Sequence, residues 1–490
     1  AERVGAAIGV AVKPAGELRL QPVTDRFFFW LRATALETRR LANWWAERML
    51  LTPRPLQEKM ALFWHGHFAT GAEKVRDYRK MLAQLALFRR CATANFRDLL
   101  VGVAQDPAML VFLDAGRNVK GAPNENFGRE VMELFTMGVG HYTEADIREA
   151  ARAFTGWTTD DLSFRVDVTR HDDGIKTVLG HTGRLDGVAV LDIIMQQPAT
   201  AQHIADRLYR FLVRDELSPA FRQRLGGLLA DCNFEIAAFL RTLFLSRDFY
   251  SPASVGAHIK SPVEMIVSTY RRLGLRELPG VPDFNAVCGE LGQVLLNPPT
   301  VAGWAQGRAW ITPGTLLARG NFAREVMFPD MIGFTDPMLD PGSVVRAVNT
   351  RIQRGMDVAS ATAEGPAVET GAAESGPRPA GREDFNTRYA SLQGWQQAMR
   401  RIRPIPRAAA RFSLSDNVTQ AGCVDAAETV DLLLDRFLGM PVDDEVRARL
   451  IGFLETQLGT SSIARARSYM EEPLRLLTHL IMSTPEYQLA

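Results

Sequence analysis

The amino-acid sequence predicts a mainly α protein: a multi-helical body with one small β-hairpin and a duplicated C-terminal helical unit. Three observations carry that prediction. Apolar residues recur at helical spacing through most of the 490 residues. Period-two alternation is clean only at Phe164, Arg165, Val166, Asp167 and Val168. A set of amphipathic segments at 203–250 is echoed near the C-terminus.

The first element is marked by Leu56, Met60, Phe63, Trp64 and His67, which follow i, i+4, i+7, i+8 and i+11 on the buried stripe of a helix with Gly66 near its end. His65 then points elsewhere. Residues two apart on a helix diverge by about 200°, so His65 and His67 chelate one metal poorly. His67 reads as a packed or hydrogen-bonded side chain, and is kept as a candidate substrate-binding residue.

The segment PNENFGREVMELFTMG at 123–138 forms a short helix with Asn124 as N-cap and Glu125 in the first turn, where the helix dipole favours a carboxylate. Phe127, Val131, Leu134 and Phe135 share an apolar arc, and Asn126, Glu130, Glu133 and Met137 run along its edge. Glu130 and Glu133 therefore repel one another beside apolar surface, which raises one carboxyl and makes the pair the candidate acid/base catalyst. The competing reading is structural: Arg129 is four residues from both Glu125 and Glu133 and ties them into a salt-bridge ladder.

A helix over 147–154 ends near Gly156, with Trp157 just beyond. The strand at 164–168 is expected to pair with Thr177, Val178 and Leu179 across the polar turn His171, Asp172, Asp173, Gly174. Ionisable loops are common functional places. His171 and Lys176 are accordingly candidate catalytic residues, on a loop expected to cover a groove over the carboxylate helix; the plainer alternative is ordinary turn chemistry.

The first helical copy, about 203–250, is echoed by 431–438, 446–450 and 476–487. Between them, 336–427 reads as an insertion, disordered at about 358–383 where large apolar residues are scarce, with a basic arm of Arg400, Arg401, Arg403, Arg407 and Arg411. Residues 1–335 form the helical core and 428–490 a C-terminal unit packing on it. Trp304 and Trp310 lie in Pro/Gly-rich loops with Arg319 beyond. With Trp157 they are candidate substrate-binding residues, since Trp faces stack on sugar rings and Arg bonds hydroxyls or carboxylates. Alternatively the indoles plug loops onto the core.

These blocks resemble a large bacterial family known as domain of unknown function 1800. The resemblance rests on FWHGHF at 63–68, the segment at 123–138, GHYTE at 140–144, ARAFTGW at 151–157, HDDGIKTVLG at 171–180, KSPVE at 260–264, GQVLLNPP at 292–299 and Gly303-Trp304, in the family's order. It departs at Gly66, where the family pattern leads one to expect a polar residue. The family's N-terminal segment with its export signal is also largely missing before the first block, and the chain begins at Ala1. The resemblance implies a periplasmic or secreted location.

Composition narrows the partners. With 46% hydrophobic residues, 23% charged residues and a net charge of +1, a nucleic-acid partner is not expected. No apolar run approaches the roughly 18 residues of a transmembrane helix. The four cysteines have no CxxC spacing, and neither a metal site nor a cofactor is evident. Nucleophile elbows, phosphate loops and dinucleotide glycines are missing. Two functions remain open: an extracytoplasmic hydrolase or lyase on a polymeric, carbohydrate-like substrate, and a non-catalytic cell-envelope protein binding extracellular polysaccharide or another exported protein through its Trp-bearing loops.

Overall fold

The computed structural model describes residues 23–329, 356–358, 404–406 and 409–490. The expected disordered stretch, apart from Val358, and Arg400, Arg401, Arg403 and Arg407 of the basic arm lie outside these residues.

The fold is mainly α, with twenty α-helices among the described residues. The long helix Val23–Leu51 is a spine against which Pro55–His67, Tyr78–Arg90, Pro262–Arg272 and Phe284–Glu290 pack. Trp45, Trp64, Phe68, Phe88 and Phe96 fill the core around it, and fully burying each such ring contributes roughly 2–3 kcal/mol. Glu58 is buried with them and is fully engaged, accepting from Trp45 Nε1 at 3.1 Å, Arg48 Nε at 2.8 Å and Arg89 Nε at 3.0 Å. Helix starts carry the side chains that local chemistry requires: Asp77, Asn95, Asp106, Asp186 and Ser218 each accept a backbone N–H at an N-cap.

The C-terminal helices Ala426–Phe437, Asp444–Leu458 and Glu471–Met482 pack on this body. Glu471–Met482 lies against Pro313–Met327, and Ala426–Phe437 against Pro262–Arg272. The junction is fastened by buried polar bonds: Lys260 Nζ donates to Tyr487 O at 2.7 Å, and Arg319 donates to Gln488 Oε1 at 3.0 Å and to Lys260 O at 2.8 Å. No described helix is long and apolar enough to cross a membrane.

The strands are few, as expected, but pair differently. Strand β1 (Trp157–Asp160) pairs antiparallel with β2 (Ser163–Val166), Trp157 opposite Val166; β3 (Lys176–Val178) pairs with β4 (His181–Gly183). The expected pairing of 164–168 with 177–179 does not form. Each ribbon instead closes over its own two-residue loop. Asp161 (φ 50°) turns the first; Leu179 (φ 49°) and Gly180 (φ 83°), the left-handed pair that a primed hairpin turn demands, turn the second. Alternation located a strand but could not identify its partner. A third ribbon joins β5 (Met356–Val358) to β6 (Pro404–Pro406).

Candidate functional site

The carboxylate segment is a seven-residue helix, Asn126–Met132, that widens into a π turn over Glu133–Met137. Its N-cap is Glu125, not Asn124; the Asn124 carboxamide instead accepts from Asn126 N at 3.0 Å, one residue further out. Gly128 lets the helix press onto Glu144–Ala153, since a Cβ there would lie 3.3 Å from Ala151 N. The π turn is sustained by Thr136, whose hydroxyl donates to Val131 O, five residues back, at 2.5 Å. It also leaves two carbonyls for histidines: Phe135 O is bonded by His67 Nε2 at 3.0 Å, and Leu134 O by His203 Nε2 at 3.4 Å.

On the outer side of this turn the two glutamates differ. Glu133 Oε2 accepts from the Tyr142 hydroxyl at 2.6 Å. Half-buried Glu130 has no hydrogen-bond or ion-pair partner among the described residues, and its carboxyl is raised, first by burial and then by the charge of Glu133. The expected ladder through Arg129 forms without Glu133. Arg129 reaches Glu125 at 3.2 Å and Glu144 at 2.7 Å, because Glu144 begins the neighbouring helix within its grasp.

The loop carrying His171 and Lys176 is elsewhere. On Glu144–Ala153, Asp146 accepts from Leu179 N at 2.7 Å and Glu149 from Thr177 N at 3.3 Å, whereas Gly128 meets Ile147 and Ala151. At about 100° per residue those faces are roughly 150° apart, so the loop and the carboxylate helix lie on well-separated sides of one helix. The groove expected between them is replaced by that helix. Lys176 is buried, and its ammonium donates to Asp172 O at 2.5 Å and Gly174 O at 3.1 Å, while burial holds its pKa down. His171 Nδ1 contacts Thr155 O at 2.8 Å. Asp172 is gripped by Arg152 at 2.8 Å, which pulls its carboxyl to about 2. These side chains hold the loop's shape.

The aromatic candidates are internal. Trp157 packs edge-on to Phe154 and Phe164, with ring centroids 5.0 Å away in each case, against Phe127 on the carboxylate helix. Trp304 and Trp310 are buried, so neither lies open on the surface; Trp304 meets His65 edge-on at 5.0 Å, and Gly303, whose Cβ would collide with Gly66 O at 2.2 Å, seats the loop on the helix end. His65 is thus as buried as His67, contrary to the single-stripe reading, because the Trp304 loop covers its side of the helix. Arg319, expected to bind substrate, is 1% exposed and is consumed by Lys260 O and Gln488.

Both tryptophans line a recess of about 40 Å³ with Phe63, Phe211, Gln293 and Glu264. Glu264 meets Lys59 at 2.9 Å and His258 at 3.2 Å; burial alone would raise it, yet the Lys59 charge and the His258 contact hold it well below the usual range. Arg210 and Asp215 connect the recess to an open hollow of about 730 Å³ lined also by Arg214, Glu216 and Asp248.

Sequence reading missed Tyr142, His203 and Glu264. Tyr142 and Glu264 stand within motifs already singled out. His203 gives no local signal of its approach to a turn 69 residues away.

A sequence model of the family described as "Protein of unknown function (DUF1800)" matches residues 28–489. No curated protein and no solved structure matches.

Proposed function

We propose that this chain, which belongs to the DUF1800 family, is a hydrolase or lyase that acts outside the cytoplasm on a polymeric, carbohydrate-like substrate, with Glu130 as its proton-transfer group. One observation carries the reading: two adjacent carboxylates are treated differently, Glu133 being bonded to Tyr142 and Glu130 being left unpartnered with its carboxyl raised. A carboxyl that keeps its proton nearer neutrality protonates a leaving oxygen, and a neighbouring carboxylate stabilises positive charge or orients water. Both carboxylates are half-buried, with Asn126 exposed one turn before Glu130. A site reached from the surface suits a long ligand that gains contacts along its length. Small ligands favour concave sites. The extracytoplasmic placement is supported by the resemblance to a usually exported family.

A second reading, a non-catalytic envelope binding or assembly protein, is supported by the recess under Trp304 and Trp310 and the hollow beside it. Reducing-end release from a panel of neutral and acidic polysaccharides separates the two. Cleavage by the parent that is lost in Glu130→Gln supports the enzyme; equal cleavage by that variant removes Glu130 from the chemistry. Retention on a polymer without cleavage by either protein selects the binding reading.

A further inference from the structure

Helix Pro198–Leu212 carries a cation whose one nearby opposite charge, Asp206, is already bonded by two other arginines. The Arg207 side chain is largely buried, and among the described residues it makes no hydrogen bond and no ion pair. Its neighbour Asp206 is already shared by Arg210 at 2.9 Å and Arg222 at 2.9 Å. His203 stands one turn before Arg207 on the same helix, and its ring is 6.2 Å from that of His67, which ends the helix Pro55–His67. Arg207 is within electrostatic reach of both histidines, and Arg222 of His203. Each histidine spends one ring nitrogen on a carbonyl of the π turn. That leaves His67 Nδ1 buried with no partner, and His203 Nδ1 against Gly138, where a Cβ would come within 3.0 Å.

Three arginines and two histidines therefore share one aspartate. A guanidinium withdrawn from water without a partner is costly, and native structures compensate such groups. The planar fork of arginine matches two oxygens of a carboxylate or a tetrahedral anion. Histidines with an unused nitrogen add a donor each time they take up a proton.

We propose that Arg207, His203 and His67 form an oxyanion site, in which the guanidinium seats the anion and the histidines bind it more tightly when protonated. The site stands on its own geometry and does not require Glu130 to be catalytic. Burial first, and then Arg207, push His203 down to about 4 and His67 well below its ordinary value when the site is empty. A seated anion opposes the Arg207 repulsion and lifts both. Affinity therefore rises as pH falls.

The test is calorimetric titration of the full chain with inorganic sulfate, whose charge is constant over the range, and separately with a uronic-acid oligosaccharide. Saturable binding that tightens about tenfold from about pH 7 to about pH 5 is expected, with proton uptake read from the dependence of heat on buffer. Arg207→Met should abolish it while the thermal midpoint of the free protein holds or rises, because an uncompensated charge has been removed. His203→Gln should keep binding at the higher pH and lose its tightening. Binding of the oligosaccharide but not of sulfate assigns the anion to a polymer-borne carboxylate; the reverse assigns it to a free tetrahedral anion. No saturable binding of either probe, or equal binding by Arg207→Met, overturns the site.

Discussion

Two ionisable clusters flank the helix Glu144–Ala153, and they differ in what is left over. On the side of the hairpins the charges of the polar loop are matched: Arg152 bridges Glu149 and Asp172, Lys120 holds Asp173 at 2.8 Å, and the Lys176 ammonium is spent on two carbonyls. On the other side Arg129 is taken by Glu125 and Glu144, Glu133 by Tyr142, and Glu130 by nothing among the described residues. A polar loop advertises itself in a sequence, yet its groups are those whose bonding capacity is exhausted by holding shape. The informative residue is the one whose capacity remains.

The largest effect that breaks or sharpens this contrast is on turnover. Glu130→Gln should lower the rate on a cleavable polymer by about 10²–10⁴-fold, the usual contribution of a positioned acid or base, while the urea midpoint stays close to that of the parent. A variant that unfolds would make Glu130 part of the frame and erase the difference between the two sides.

Lys176→Met comes next, and its effect belongs to stability. Deleting a buried ammonium that serves Asp172 O and Gly174 O should cost about 2–4 kcal/mol by chemical denaturation, leaving turnover per folded molecule unchanged. If the variant folds as well as the parent and is inactive, the loop regains the catalytic role its sequence suggests.

Tyr142→Phe is smaller. It removes one hydroxyl donor from Glu133 on a half-exposed face and should cost about 1 kcal/mol. Turnover should fall far less than in Glu130→Gln; an equal fall would move the critical proton to Tyr142.

What the sequence made legible follows from how local each feature is. Helical periodicity found the element that buries Met60, Phe63, Trp64 and His67, although Leu56, expected on the same stripe, is exposed near its start; of the apolar arc, Phe127, Val131 and Phe135 lie inside and Leu134 is half-buried. The edge position of Glu130 and Glu133 came from the same arithmetic, which wrongly put Met137, 2% exposed, on that edge as well. Periodicity could not show that the helix widens at Glu133, because a π turn is sustained by Thr136 and by histidines arriving from helices 55–67 and 198–212. Nor could it separate a tryptophan that faces a ligand from one that plugs a loop, since both stand in Pro/Gly-rich segments and only the tertiary cover over Trp157, Trp304 and Trp310 decides. Arg319 and Arg207 read alike in sequence. One is consumed by Gln488 and a carbonyl, the other is not.

The smallest effect is also the sharpest, because the two sides of the helix should respond to pH with opposite sign. Asp172 is held at about 2 by Arg152, below its unfolded value near 3.8. Its contribution is therefore complete above about pH 4 and lost as pH falls toward 2. Glu130 is raised, so between its unfolded value near 4.5 and its folded one the native state binds more protons than the unfolded chain, and stability declines as pH rises through that window. Urea midpoints across both windows should show an acid-side loss that Asp172→Asn removes and a decline toward neutrality that Glu130→Gln removes. The second slope is shallow, since Glu130 is only half-buried and solvent screens it. A Glu130→Gln profile that runs parallel to the parent through the upper window would mean that the carboxyl is ionised there in both states, and the acid of the proposed pair would have no proton to give.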